Sequence, residues 1–259
     1  MLEKLRAIWL VAKATILETL RRKDIYVVLI LAVVIIGSAG LYNFFGIRGL
    51  QKFLKDIALS TINILVIIIT VVITAKQLPQ ELEQRTIYPM LAKPISRLQF
   101  LLGKYLGALI MSTATLIAFG VIFLIVLAIV HASTGIILLQ AFYLRFLSLA
   151  LISALTICLS LFLTHSANVT IMLLFCLGAS IFSRTMTIVY YKFSSGLQFL
   201  LKSLYFAIPH LDLFDMSKKV VHNWQPVPLW VLLALTVYAF IYIFIFLTIA
   251  EIRFRRRML

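Results

Sequence analysis

Acidic residues are scarce in this chain: nine stand against 24 Lys and Arg, for a formal net charge of +15 over 259 residues. None lies centrally in an apolar run, which argues against a proton-coupled carrier, because such relays use buried acids. Cysteine is scarcer still. Cys158 and Cys176 both fall inside apolar runs and read as buried thiols, so a disulfide framework is excluded. The alternating strands of a membrane barrel are missing. So are the signatures of catalysis. Gly103-Lys104 is followed by Tyr and lacks the first Gly of a phosphate-binding loop, and H-E-x-x-H, C-x-x-C and G-x-S-x-G do not occur. The chain is therefore expected not to be an enzyme. No short apolar region ends in a small-residue cleavage site, so no cleavable leader is read.

What is present is hydrophobic. Apolar residues make up 63% of the chain and the mean hydropathy is +1.09, well above a soluble domain. Apolar runs of about 20 residues recur, the length a helix needs to cross a bilayer. The expected fold is all-α: one membrane domain over residues 1–259 with six spans, at 25–45, 57–75, 100–130, 144–163, 169–191 and 227–250. The third, near 31 residues or ~46 Å, exceeds the ~30 Å hydrocarbon core. It should tilt or project, with Lys104 at the interface. Residues 48–56 read as a short outer loop and 164–168 as a tight inner turn. Arg145, at the outer end of the fourth span, reads as snorkelling, and Asn63 as bonded to a neighbouring helix.

Before the first span, Leu5, Ile8, Ala12, Ile16 and Leu20 recur at helical spacing, with Lys4, Arg6, Lys13, Arg21, Arg22 and Lys23 around them. Residues 1–23 thus read as a basic amphipathic helix on the membrane surface. Between the fifth and sixth spans, residues 192–226 read as an outer hairpin that partly re-enters the membrane, broken at Pro209 and followed by His210-Leu-Asp212-Leu-Phe-Asp215. His210, Asp212, Asp215, Met216 and His222 could suggest a metal, but a solvated loop is the better reading, and no metal is expected.

With both termini inside, fifteen Lys and Arg fall on the inner side and nine on the outer, the bias that cytoplasmic termini require. The positive charge flanks hydrophobic runs, so anionic lipid and topology account for it better than nucleic acid does.

The stretch from Gln77 to Gly107 carries both signs of charge between two membrane-length runs. Pro79 can open a helix, since a missing N–H costs nothing in a first turn. Glu81 and Glu83 follow where the helix dipole favours anions, and Pro89 and Pro94 end regular helix. As it stands here, the pattern is Glu81-x-Glu83-x-x-Thr86-x-x-x-x-Leu91-x-x-Pro94-Ile95-x-Arg97, then Leu102-Gly103-Lys104-x-Leu106-Gly107. It resembles the cytoplasmic coupling segment of the ATP-binding-cassette type 2 permease family, and is closest in character to the permease subunits of nitrous-oxide reductase maturation systems. The match is dense over about 30 residues, and the span layout agrees along the whole chain. Many family members have Gly where Arg85 stands.

The resemblance implies an exporter permease in a bacterial cytoplasmic membrane, paired as a homodimer. It would be driven by separately encoded ATPases that carry the ATP and Mg and dock on residues 77–97. Glu81, Glu83, Arg85, Thr86, Lys93 and Arg97 would form the docking surface, with Pro89 and Pro94 setting its shape. Gly103 and Gly107, with Lys104 between them, would allow tight packing where the third span begins. The resemblance also implies that helix 1–23 is an elbow shaping the docking surface, and that the outer helices between the fifth and sixth spans close the exit, with Pro209, Asp212 and Asp215 at this outer gate. Two other classes stay open: a non-transporting membrane anchor or scaffold, and a secondary transporter that would leave the charged island without a role.

Overall fold

The computed structural model describes residues 2–21, 30, 34, 37, 50–83, 96–129, 135–189 and 209–256. Among them are α1 (Leu2–Leu20), α2 (Leu50–Glu83), α3 (Arg97–Ile129), α4 (Ile136–Ser160), α5 (His165–Val189), a 3-10 turn at Leu211–Phe214, α6 (Ser217–Val221) and α7 (Leu229–Arg256). No strand occurs among the described residues. Among the described residues, four helices are long and apolar enough to cross a membrane: Lys55–Glu81, Arg97–Ile129, Ile136–Ser160 and Leu229–Arg256. α5 adds a fifth helix of 25 residues whose first part is apolar. The expected first span at 25–45 lies almost wholly outside the described residues, as do Arg85, Thr86, Pro89, Lys93, Pro94 and most of 192–208.

α4 is the hub. It packs against α2, α3 and α7, and its small polar residues Ser148, Ser153, Thr156 and Ser160 are buried among the neighbours. Small side chains let helices approach closely where no hydrophobic force drives their association. The buried hydroxyls mostly bond within their own helices. Thr70 donates to Val66 O at 2.7 Å, Thr74 to Thr70 O at 2.6 Å, and Thr156 to Ile152 O at 2.7 Å, so these polar groups are satisfied without water. Between helices, Tyr105 Oη donates to Ala150 O at 3.3 Å, joining α3 to α4. Asn168 Nδ2 donates to Thr156 O at 3.1 Å, tying the start of α5 to the end of α4. Among the described residues α7 packs mainly on α4 and buries one narrow stripe that includes Ala239, Ile243, Ala250 and Phe254.

Several boundaries differ from the sequence reading. Residues 50–56, read as an outer loop, are the first two turns of α2, which continues unbroken through Pro79 to Glu83. Pro79 is thus an interior proline and not a helix start. It removes one backbone bond at a cost of about 3 kcal/mol. Burial of Ala75 and Leu78 around it and the ion pair at Glu81 keep the helix running. The turn before α5 occupies 161–164, and His165–Asn168 are its first helical residues.

α1 also docks on a different face from the one its leucines suggest. Val11, Ala12, Thr15 and Thr19 are buried against α3, while Leu5, Trp9 and Leu20 stay exposed. The reason is steric. α3 presents glycines here, and only small or β-branched side chains can sit that close to its backbone.

Candidate functional site at the two ends of the bundle

At the end of the bundle that carries both described termini, four elements meet around the start of α3. A Cβ built on Gly103 would lie 2.6 Å from Val11 Cβ and 2.9 Å from Ile8 O, and one on Gly107 would lie 2.7 Å from Thr15 Cβ. These two glycines therefore form the bed on which α1 rests. Between them, Lys104 points the other way into the bundle and pairs with Glu81 of α2. Lys104 is 2% exposed and Glu81 12%, so this lysine is internal and does not reach the interface. Its Nζ also lies 5.9 Å from the Phe100 ring centroid, within cation–π range. Phe100 in turn stacks on Phe254 of α7 at 6.0 Å.

Arg97 completes the knot. Its Nη1 donates to Phe254 O at 3.2 Å and to Arg255 O at 2.8 Å. It thereby caps the last carbonyls of α7, where a cation also suits the helix dipole. Arg255 pairs with Glu251 one turn back, and Arg253 lies over the Phe162 ring at 5.1 Å, reaching the turn between α4 and α5. Ser96 and Gln99 open α3 with reciprocal bonds of 2.9 and 3.3 Å, a capping box.

Among the residues read as ATPase-coupling, the structure brings Glu81 and Arg97 to this end and turns Glu81 inward. Glu83 closes α2, and the rest lie in 84–95, outside the described residues. The capping of α7 by Arg97 has no local sequence signal, since that contact joins residues 157 and 158 positions apart.

The opposite end is built from the segment between α5 and α7. Asp215 Oδ1 accepts Ser217 N at 3.0 Å and Ser217 Oγ at 2.6 Å. Asn63 Nδ2 donates to Ser217 Oγ at 2.6 Å and approaches Asp215 Oδ1 at 3.5 Å. Arg145 of α4 lies 3.7 Å from the same carboxylate oxygen. Arg145 does not snorkel: its side chain is 9% exposed, held inside the bundle because Asp215 supplies the opposite charge there. Beside it is a cavity of about 20 Å³, lined among others by Asn63, Phe142, Arg145, Asp215 and Ser217. That is room for about one water molecule.

Further polar ties fasten this end. Lys55 Nζ donates to Asn223 Oδ1 at 3.1 Å. Gln140 grips the entry of α7 with two bonds to the Val227 backbone, both 2.9 Å. Pro209 is buried, Asp212 belongs to the 3-10 turn, and Asp215 caps the following turn. Among the described residues no group of three or more His, Cys, Asp or Glu side chains could hold a metal ion.

His210 meets Tyr238 Oη through its backbone N–H at 3.0 Å and its Nδ1 at 3.3 Å. Burial pushes its pKa below the ordinary histidine value, with the Asp212 charge partly opposing. The folded state thus favours neutral His210, and its contribution is present above about pH 6.5 and lost as pH falls through the lowered value. Thermal unfolding at pH 5 should show a lower midpoint than at pH 8, and His210→Gln should narrow that difference.

A bundle of long apolar helices, knotted by ion pairs at one end and closed by a short polar segment at the other, defines a multi-pass helical membrane protein. The family model described as ABC-2 family transporter protein matches residues 2–259, and the chain belongs to that family. It is thereby placed among the membrane permeases of ATP-binding-cassette transporters. A search of curated proteins finds no match.

Proposed function

We propose that the chain is the membrane-spanning subunit of an exporter, working as a homodimer, with a separately encoded ATPase docked on the stretch that joins α2 to α3. The observation that carries this reading is the knot at the start of α3. Glu81 and Lys104 tie the two flanks of residues 84–95 together, Gly103 and Gly107 seat α1 on one of them, and Arg97 holds the end of α7. A push on 84–95 would therefore reach α1, α2, α3 and α7 at once. The docking surface then consists of Glu83, Arg85, Thr86, Lys93 and neighbours. Pro89 and Pro94 shape it, while Glu81 acts from inside through Lys104.

Orientation follows from charge. Arg6, Lys13, Arg21, Arg97, Arg253, Arg255 and Arg256 lie on or beside α1, α3 and α7, the elements that meet at the knotted end, and this bias supports our reading of that end and both termini as cytoplasmic, in the inner membrane of a bacterial cell. The segment 209–221 then closes the outer side, with Pro209, Asp212 and Asp215 in the gate. ATP and Mg belong to the partner, this chain being no enzyme, and no nucleic acid takes part.

The test is co-purification of the tagged chain from mild detergent with mass identification of its companions. A stoichiometric ATPase bearing a phosphate-binding loop is expected. The Arg85→Glu/Lys93→Glu variant should lose at least tenfold of that ATPase while inserting and folding normally. Monodisperse chain with no ATPase would favour a scaffold or a secondary transporter.

A further inference from the structure

The buried guanidinium of Arg145 faces the cavity at the outer end, and its counter-charge is unusual. Asp215 stands at 3.7 Å, beyond hydrogen-bond range, and its side chain is half exposed on a segment whose elements, Leu211–Phe214 and Ser217–Val221, are only four and five residues long. By contrast, Arg145 and Asn63 sit on the long helices α4 and α2. If 209–221 moves to let a ligand out, Asp215 and Ser217 leave with it and Arg145 and Asn63 stay behind. A buried cation deprived of its partner is strongly unfavourable. The outward movement is therefore favoured only when another anion takes the place of Asp215. A planar fork of donors with an amide beside it fits a carboxylate or phosphate oxyanion. Leu59, Ile62, Leu116 and Phe142 around the same cavity supply an apolar wall for an attached chain.

We propose that Arg145 and Asn63 form an oxyanion site that Asp215 fills from within, and that the anionic group of an amphipathic ligand displaces Asp215 as the outer segment opens. This rests on the permease reading for its purpose, though not for its test. In the closed state the cavity holds only about one water, so Asp215 acts as a tethered competitor that empties the site of ligand once the segment returns.

The experiment uses the full chain alone in neutral detergent, with no ATPase present, so that failure here leaves the ATPase docking result untouched. The thermal midpoint is followed while short-chain phosphatidylglycerol, phosphatidylcholine or inorganic phosphate is added. Asp215→Asn is expected to lower the midpoint of the bare chain. Phosphatidylglycerol should restore it at concentrations about tenfold lower than any effect on the native chain, and phosphatidylcholine should not. Adding Arg145→Gln to Asp215→Asn should remove the rescue. If that double variant does not fold, Arg145→Lys in its place keeps the charge, loses the fork, and should weaken the rescue at least threefold. Rescue by inorganic phosphate as well would assign the site to a free oxyanion, and rescue by the lipid alone to a headgroup carried on acyl chains. Equal rescue by phosphatidylcholine, an absence of rescue, or rescue that survives the loss of Arg145 would overturn the proposal.

Discussion

Replacing Lys104 with Met is expected to destabilise the protein by about 3–5 kcal/mol, because it leaves the Glu81 carboxylate buried without its cation. Glu81 and Lys104 are both nearly sealed from solvent, so water cannot substitute for the lost partner. The companion change matters more than the single one. Glu81→Gln combined with Lys104→Met removes both charges, and the double variant should lie within about 1 kcal/mol of the native chain, since a buried pair contributes little beyond what its own desolvation costs. Chemical unfolding in detergent of the native chain, both single variants and the double closes the thermodynamic cycle. If the double variant is as unstable as Lys104→Met, then Lys104 acts through its packing on Phe100 and not through Glu81, and the route from α2 to α3 proposed above fails.

The second large effect is steric. Gly103→Ala adds a single carbon, yet that carbon would stand 2.6 Å from Val11 Cβ and 2.9 Å from a backbone oxygen. Backbone cannot step aside as a flexible side chain can, so α1 must lift. A loss of about 1–3 kcal/mol is expected, and Gly103→Leu should release α1 from α3 altogether. The geometry makes a sharper demand on rescue. Val11→Ala keeps the offending Cβ and should not relieve Gly103→Ala. Val11→Gly removes it and should recover part of the loss, less the roughly 1 kcal/mol that a glycine costs inside a helix. Alkylation of a cysteine placed at Thr15, which is buried in the native interface, reports the docking directly: it should be slow in the native background and fast in Gly103→Leu.

The order of elements was legible because spans and charged flanks are local properties of the sequence. Apolar length announces a crossing helix wherever it occurs, and charges or breakers mark the starts of α3 at Arg97, α4 at Gly135 and α7 at Pro228. The stretch between α2 and α3 stood out as a charged island between two such runs. What escaped were contacts between residues far apart in the chain. Arg145 read as a cation reaching for water because its partner lies 70 positions on, at Asp215. Lys104 looked interfacial for the same reason. Pro79 carried a helix-start signal that an interior proline carries equally, and only packing around Leu78 decides between them. The stripe of leucines on α1 marked an apolar face but not the face that docks, because docking was chosen by the glycines of another helix.

Gln140 holds the α7 entrance at Val227, and Arg97 holds its far tip at Arg255, so the helix is hinged at both ends while the described residues leave most of its flank uncovered. Such a member behaves as a lever. Its 28 residues span roughly 42 Å, and a tilt of about 10° about one hinge carries the other through some 7 Å. A shift of one helical turn in Arg97 would therefore be felt across the full depth of the membrane, delivered by a rod and not by a chain of side-chain rearrangements.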